Sequence, residues 1–225
     1  MSSGRRLDFG HIMGALRAEA TSCDVLDRLL TLTTETFECD HATATLTVQR
    51  PGEQTTLATD ADLLVLADLQ LLQGAGPAVD AVAGQSSALV LDLRSEDRWP
   101  SWAAAATRAG LRSLICVPLT CTGARLGTLT AYDTRRGHFT AGDVATAGFM
   151  ARFAAAAVAA ARDHEDLWRV IDARRTIAYA QGILMQRDGL DPDRAIVLLR
   201  DRSARQRLTL QVVAERLVRA PASLE

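Results

Sequence analysis

The stretch 174–218 constrains the fold more than any other part of the chain, because its capping residues divide it into three helices. Asp191 followed by Pro192 is a favoured helix start, and Thr209 is a second one. Gly189 is a favoured residue just past a helix C-terminus, so a first helix should end there. Apolar residues recur at helical spacing at Ile177, Ala180, Leu184, Ala195, Leu198, Leu199, Val212, Val213 and Leu217. Three helices joined by two short loops predict a compact helical domain.

The same stretch carries a pattern that identifies a family. The matching residues are Arg174, Ile177, the run 180–185, Ala195, the run 198–200, Ser203, Leu210, Val213 and Ala214. In this order and at this spacing, the segment resembles the ANTAR domain, a three-helix RNA-binding module of bacterial transcription antitermination regulators. The chain departs from the family at Gln181, where the family usually carries lysine. The resemblance therefore implies one phosphate contact fewer.

The resemblance also implies a surface that binds RNA hairpins, which offer unstacked loop bases and a dense path of phosphates. The residues expected to contact RNA are Arg174, Arg175, Gln181, Arg200, Ser203, Arg205 and Arg207. The alternative for each arginine is a solvated side chain without a binding role.

Charge is unevenly distributed along the chain. Residues 1–166 contain 14 arginines and 20 acidic residues, a net charge of −6, whereas residues 167–225 contain 11 and 7, a net charge of +4. An acidic front and a basic tail fit a sensor joined to a polyanion binder, although solvated helix faces would give the same excess. The chain has no lysine, which together with its many alanines indicates a GC-rich genome. The alternative is selection for the guanidinium group, which binds phosphate in bidentate fashion.

No segment of the sequence predicts export or membrane insertion. The N-terminal residues Met1 to Arg6 are not followed by an apolar signal-peptide core. The longest apolar run, from Phe153 to Ala161, is far shorter than the ~20 residues that span a bilayer. We therefore expect a cytoplasmic protein without membrane contact, whose four cysteines are reduced.

The first 165 residues show helical and strand patterns in turn. Helices are predicted over 11–38, 61–73, 77–83 and 101–110, and strands over 42–49, 55–58, 89–93, 113–119 and 126–132. Pro51–Gly52 and Gly123 mark turns. Thr140 is a predicted N-cap for a long final helix, with Asp143 placed to complete a capping box. This order predicts an α+β domain with an antiparallel sheet flanked by helices.

Several short motifs in this region carry a second resemblance. They are the runs 74–77, 92–94, 98–100, 110–113, 117–119 and 126–129. Together they resemble a GAF domain, which implies a six-stranded antiparallel sheet with a small-molecule pocket on one face. We expect Trp99, Trp102 and Cys116 to line that pocket, and the alternative for the tryptophans is packing in the core. Ala78 stands where related sequences often have cysteine, which argues against thiol chemistry there.

Cysteine and histidine patterns give little sign of catalysis. Some GAF domains reduce free methionine sulfoxide through cysteines, and Cys116 and Cys121 lie close together in the sequence. A reducing thiol needs a low pKa and exposure, whereas Cys116 lies in an apolar strand. The histidines are scattered without metal-ligand spacing. We predict no enzymatic activity, no metal and no cofactor.

The helix predicted from Ala141 to about Asp188 has a heptad-like pattern. One row contains Phe149, Ala156, Asp163 and Val170, and the next contains Phe153, Ala160, Leu167 and Arg174. Alanine permits close approach of two helices, whereas Asp163 and Arg174 weaken a coiled coil. The pattern predicts a homodimer through this helix. The alternative is packing on the protein's own sheet, and the two uses are compatible on different faces.

These expectations define two domains, a GAF-like sensor over 11–162 and an ANTAR RNA-binding domain over 163–220, which share a long helix at about 141–188. The resemblance implies a one-component GAF–ANTAR regulator of the actinobacterial type. It would respond to an unidentified small molecule or to a redox state and bind hairpins in leader transcripts, so that transcription continues. Two alternatives are a GAF-type redox enzyme similar to free methionine sulfoxide reductases and a protein-interaction adaptor without RNA binding.

Overall fold

The computed structural model describes residues 9–47, 54–84 and 86–220. The chain divides into two compact units, residues 1–162 and residues 163–225. One helix of 48 residues, α6 (Ala141–Asp188), contributes residues to both units. The predicted turn at Pro51–Gly52 lies outside the described residues.

The first unit is built on a five-stranded antiparallel sheet in the order β2–β1–β5–β4–β3. The strands are β1 (His41–Thr47), β2 (Gln54–Ala58), β3 (Ala88–Val90), β4 (Ser113–Cys121) and β5 (Ala124–Asp133). The described part of the chain thus has one strand fewer than the GAF resemblance implies. β3 is also shorter than the predicted strand over 89–93, because Asp92 caps a short 3₁₀ helix (Leu93–Ser95).

Helices cover both faces of this sheet. They are α1 (Phe9–Arg17), α2 (Ser22–Phe37), α3 (Ala61–Gln73), α4 (Pro77–Gly84) and α5 (Pro100–Arg108). One face, which includes Leu46, Val117 and Leu129, packs with α1, α2 and α6. The other face packs with α3, α4 and α5 through residues such as Leu114 and Tyr132. The alternation in β1 predicts a half-buried strand, but its five middle residues are all buried because helices lie on both sides.

Two helices replace the single helix predicted over 11–38. α1 ends at Arg17, and α2 begins at Ser22. The Asp24 N–H donates to the Thr21 hydroxyl at 3.1 Å, and the Thr21 N–H donates to the Asp24 carboxylate at 3.1 Å. This reciprocal capping box fixes a new helix start.

α6 begins where the sequence predicts. The backbone N–H of Thr140 donates to the Asp143 carboxylate at 2.8 Å and completes the expected cap. The expectation that no segment could span a membrane was wrong in one respect. By length and composition, α6 is apolar enough to cross one, with a mean hydropathy of 1.6 over 18 residues. In the first unit, one face of α6, with Met150, Ala154 and Val158, is buried in the core.

The second unit consists of the C-terminal part of α6 with α7 (Pro192–Gln206) and α8 (Leu210–Arg219). Its fully buried side chains are Ala180, Leu184, Ala195, Leu199, Val213, Ala214 and Leu217. Asp191 caps α7 by accepting a hydrogen bond from the Arg194 N–H at 2.8 Å, and Thr209 caps α8. The predicted all-α domain of three helices is confirmed. Ala214 rather than Val212 completes the buried stripe of α8.

Candidate functional sites

A cavity of about 280 Å³ lies in the first unit, between the sheet and the helices α3 and α4. Its lining residues are Thr43, Thr45, Thr47, Gln54, Ala67, Gln70, Leu71, Ala78, Val79, Val82, Ala83 and Thr128. None of these lining side chains is charged. The volume is close to the lower end of the ~300–1,000 Å³ that is typical of small-molecule sites. The cavity is therefore a candidate ligand site.

Threonines from two neighbouring strands form the floor of the cavity. Thr45 of β1 lies opposite Thr128 of β5, and strand alternation places Thr43 on the same face. The Thr45 hydroxyl shares a hydrogen bond with the Thr56 hydroxyl at 3.1 Å, and the Thr43 hydroxyl lies 3.5 Å from the Tyr132 hydroxyl. Thr128 is only 2% exposed, yet its hydroxyl has no hydrogen-bond partner among the residues that the structure describes.

A buried glutamine forms a polar part of the wall. Gln70 Oε1 accepts a hydrogen bond from the Ala78 N–H at 2.8 Å. The NH₂ group of Gln70 has no partner within the described ranges. It is therefore a hydrogen-bond donor that remains available to a ligand. Gly76 makes the arrangement fit, because a Cβ there would lie 2.4 Å from the Gln70 side chain. The φ of 151° at Gly76 also favours glycine.

The three residues predicted to line a pocket lie in the apolar core, and none of them lines this cavity. Trp99 Nε1 donates to the Asp80 carboxylate at 2.8 Å, and Trp102 Nε1 donates to the Leu66 carbonyl at 3.1 Å. The indole rings meet edge to face with centroids 6.3 Å apart. Cys116 is fully buried on the same side of the sheet. For both tryptophans, the geometry corresponds to the alternative of packing in the core.

Two of the four cysteines, Cys39 and Cys116, are poorly placed for thiol chemistry. All four are free, and Cys39 and Cys116 are buried. Burial raises the pKa of the Cys116 thiol to about 12, although the Thr130 hydroxyl donates to its sulfur at 3.3 Å. Burial and the negative charge of Asp133 raise the pKa of Cys39 to about 12 as well. Such thiols are protonated near neutral pH, whereas the thiolate is the reactive form.

The second unit presents a set of unpaired positive charges. Five arginine side chains are exposed and form no ion pair with any described residue. They are Arg174, Arg200, Arg207, Arg216 and Arg219. Unpaired guanidinium groups suit phosphate, which they bind through two parallel hydrogen bonds. Three of the five, Arg174, Arg200 and Arg207, belong to the set expected to contact RNA.

The other four residues of that set have partners inside the second unit. Arg175 pairs with Asp172 at 2.6 Å, and Arg205 pairs with Asp201 at 2.8 Å. Exposed pairs of this kind contribute about 0–1 kcal/mol, so a phosphate can displace the carboxylate. Gln181 Nε2 donates to the Pro192 carbonyl at 2.7 Å.

Ser203 has a structural partner as well. Its hydroxyl donates to the Leu208 carbonyl at 2.6 Å, in the loop that joins α7 to α8. Sequence reasoning did not include Arg216 and Arg219, which lie in the last turn of α8. The sequence feature that could have identified them is the pair of arginines at the end of a predicted helix.

These features define a two-domain protein, with an α+β domain that holds a neutral cavity and a helical domain that presents unpaired arginines. Residues 23–158 match the GAF domain family, and residues 165–218 match the ANTAR domain family. The first match covers more than half of the chain, so the protein belongs to the GAF domain family and carries an ANTAR domain behind it. GAF domains are sensor domains, and ANTAR domains are RNA-binding modules of antitermination.

Solved structures share the fold of the first unit. Free methionine-R-sulfoxide reductase from Neisseria meningitidis, in complex with its substrate, is 19% identical with a TM-score of 0.54, covering 69% of this chain and 88% of that one. The GAF domain of a phosphoenolpyruvate-protein phosphotransferase from Coxiella burnetii is 16% identical with a TM-score of 0.55, covering 70% and 94%. The corresponding Acinetobacter domain is 10% identical with a TM-score of 0.53, again covering 70% and 94%. At these identities the likeness shows the fold alone. No curated protein matches the chain.

Proposed function

We propose that this protein is a one-component, signal-responsive regulator of the actinobacterial GAF–ANTAR type that binds RNA and promotes transcription antitermination in the cytoplasm. The observation that carries the proposal is the set of exposed, unpaired arginines in the unit that matches the ANTAR family. The two domain boundaries, 11–162 and 163–220, are part of the same proposal.

The RNA-binding surface consists of the five unpaired arginines together with Arg175 and Arg205. Their fixed positive charge attracts the phosphate backbone, and their planar groups also stack on unpaired bases. Hairpins in a leader transcript offer both features within a short distance. Binding would stabilise an antiterminator hairpin, so that transcription continues.

In this proposal the first unit receives the signal, and α6 passes it on. The cavity between the sheet and α3 and α4 takes a small molecule. Because α6 contributes residues to both units, a ligand that favours one conformation of the first unit can change the RNA affinity of the second. A homodimer through the exposed face of α6 would present two RNA-binding units.

The test is a gel-shift titration with a two-hairpin leader RNA. We expect the double variant Arg174→Gln/Arg200→Gln to bind roughly tenfold or more weakly than the wild type, because two charge-assisted hydrogen-bonding groups are removed from the RNA-binding surface. The matched control is Arg94→Gln/Arg108→Gln, which removes two exposed arginines from the first unit. Equal affinity of both double variants would refute the proposed surface.

The redox-enzyme alternative has its own assay. It is motivated by the shared fold with free methionine-R-sulfoxide reductase, and the raised pKa values of Cys39 and Cys116 oppose it. Purified protein is incubated with free methionine sulfoxide and a thiol reductant, and methionine is measured. Turnover that is abolished in Cys116→Ser would establish the enzyme and overturn the view that this cysteine only packs.

A further inference from the structure

We infer that the cavity beside Thr128 binds an uncharged, mainly apolar small molecule that carries a hydrogen-bond acceptor, such as a ketone, amide or ester carbonyl. The inference names the ligand class of the sensor and so rests on the function proposed above. Three properties of the cavity support it: its charge, its unpartnered donors and its apolar walls.

The described lining of the cavity is uncharged, which disfavours ionised ligands. Its described lining residues are apolar, hydroxyl or amide side chains, with no arginine, histidine, aspartate or glutamate among them. The nearby carboxylate of Asp80 accepts a hydrogen bond from the Trp99 indole and does not line the cavity. A charged group that enters such a site loses its hydration and finds no counter-charge, which is strongly unfavourable.

The donors of the cavity select an acceptor on the ligand. Thr128 is a buried residue that lines the cavity, and its hydroxyl lacks a partner in the described part of the chain. The Gln70 NH₂ group is a second unused donor. A bound ligand that covered such a donor without accepting from it would leave a buried polar group unpaired, which is unfavourable. A ligand carbonyl that accepts a hydrogen bond from the Thr128 hydroxyl would avoid that penalty.

The remaining walls of the cavity favour a ligand whose other atoms are mostly apolar. Ala67 and Leu71 of α3 and Val79 and Val82 of α4 contribute hydrocarbon surface opposite the threonine floor. The volume of about 280 Å³ equals the liquid volume of roughly nine water molecules and limits the ligand to a compact molecule. Free methionine sulfoxide is a zwitterion, and the lining residues that the structure describes offer no partner to either of its charges.

The test compares three probes of nearly the same shape on the full-length protein. Acetophenone has an apolar ring and a neutral carbonyl, ethylbenzene lacks the acceptor, and benzoate carries a negative charge. Affinities are measured by ligand-observed NMR titration. We expect acetophenone to bind about three- to tenfold more tightly than ethylbenzene, since one hydrogen bond separates them. Benzoate and free methionine sulfoxide should show no saturable binding.

Two variants locate the binding site. Thr128→Val removes the hydroxyl at nearly constant shape and should weaken acetophenone about three- to tenfold, to the level of ethylbenzene. Ala67→Phe fills the cavity and should abolish binding of both neutral probes. Thr55→Val is the matched control, because Thr55 is exposed on β2 and does not line the cavity. Circular dichroism melting confirms that each variant is folded.

Three results would overturn the inference. They are benzoate binding as tightly as acetophenone, equal affinities of Thr128→Val and Thr55→Val, or retained binding in folded Ala67→Phe. The same samples are used for the RNA gel shift, which separates the two proposals. Probe binding that follows the expected order, without RNA binding, would support the ligand class and refute the regulator. RNA binding together with any of the three results would support the regulator and refute the ligand class.

Discussion

Gln181 links the first two helices of the ANTAR unit. Its amide donates to the carbonyl of Pro192, at the start of α7, over 2.7 Å. The residue is also partly buried. The family pattern, with lysine at this position, predicts that glutamine here leaves the RNA-binding surface with one cation fewer. The structure instead gives the side chain a structural role within the three-helix unit.

We expect Gln181→Ala to lower the free energy of unfolding of the second unit by about 0.5–1.5 kcal/mol, because the Pro192 carbonyl loses its donor. RNA affinity, measured well below the melting temperature, should change less than twofold. Gln186→Ala is the control, since Gln186 is exposed on the same helix. A large decrease in RNA affinity at unchanged stability would show that Gln181 contacts RNA.

Gly127 allows β5 to lie close to β1. Its φ is 152°, and a Cβ at this position would lie 1.7 Å from the Thr45 carbonyl oxygen. We expect Gly127→Ala to destabilise the first unit by at least about 2 kcal/mol, through strain and displacement of the strand. Thermal denaturation followed by tryptophan fluorescence measures the effect.

Gly148→Ala is the matched substitution, because a Cβ there meets nothing within 4 Å and the position lies inside α6. This variant should be neutral or more stable by up to about 1 kcal/mol. Similar melting temperatures for the two variants would show that β5 can move away from β1 without cost.

At the scale of elements, the exposed face of α6 is the main candidate for self-association. In the first unit, Ala156 and Ala160 are exposed and lie opposite the buried face of the helix, and Phe149 is 38% exposed. In the second unit, Leu167 and Ile171 are 58% and 44% exposed. Apolar residues that remain uncovered at heptad spacing favour a helix–helix dimer.

We expect the wild type to be a dimer at about ten micromolar or above, which is the range for a moderate interface. Ala160→Glu should shift it to a monomer, because a buried carboxylate without a partner is strongly unfavourable at a close helix contact. Size-exclusion chromatography with light scattering measures the mass. Ala104→Glu, an exposed position on α5, is the control and should leave the dimer intact. A monomeric wild type would contradict this use of α6.

Elements with local signals are predictable from the sequence. The bounds of α3 and α6 and the caps Thr140, Asp191 and Thr209 follow from residues close to each helix end. The break between α1 and α2 is not predicted, because hydrophobic spacing continues across it and only the capping box shows the new start.

The candidate ligand site is harder to predict, because residues distant in sequence build it. Trp102 bonds to Leu66, 36 positions away, and this bond holds the indole in the core rather than in a pocket. The threonine floor depends on the register between β1 and β5, which pairs Thr45 with Thr128. Neither the polar–apolar alternation within one strand nor a family motif predicts which residues of the two strands pair.

At the scale of the whole molecule, RNA affinity should depend steeply on salt. Each phosphate contact releases close to one counterion, so the five unpaired arginines alone predict a slope of log affinity against log salt of about −4. The variant Arg174→Gln/Arg200→Gln should reduce the slope by about 1.5, whereas Arg94→Gln/Arg108→Gln should leave it unchanged. Filter-binding titrations between roughly 50 and 200 mM salt measure it. A slope near zero would mean that RNA is not bound through these charges.

The sharing of α6 also decides how the protein can be dissected. The boundary between the two units, at residues 162 and 163, falls inside this helix. A fragment cut there would end in mid-helix, and the last four carbonyls would lose their intrahelical partners. Fragments for separate study should therefore overlap, the first ending beyond Gly189 and the second starting before the cap residue Thr140, so that each keeps a complete α6 with its natural ends.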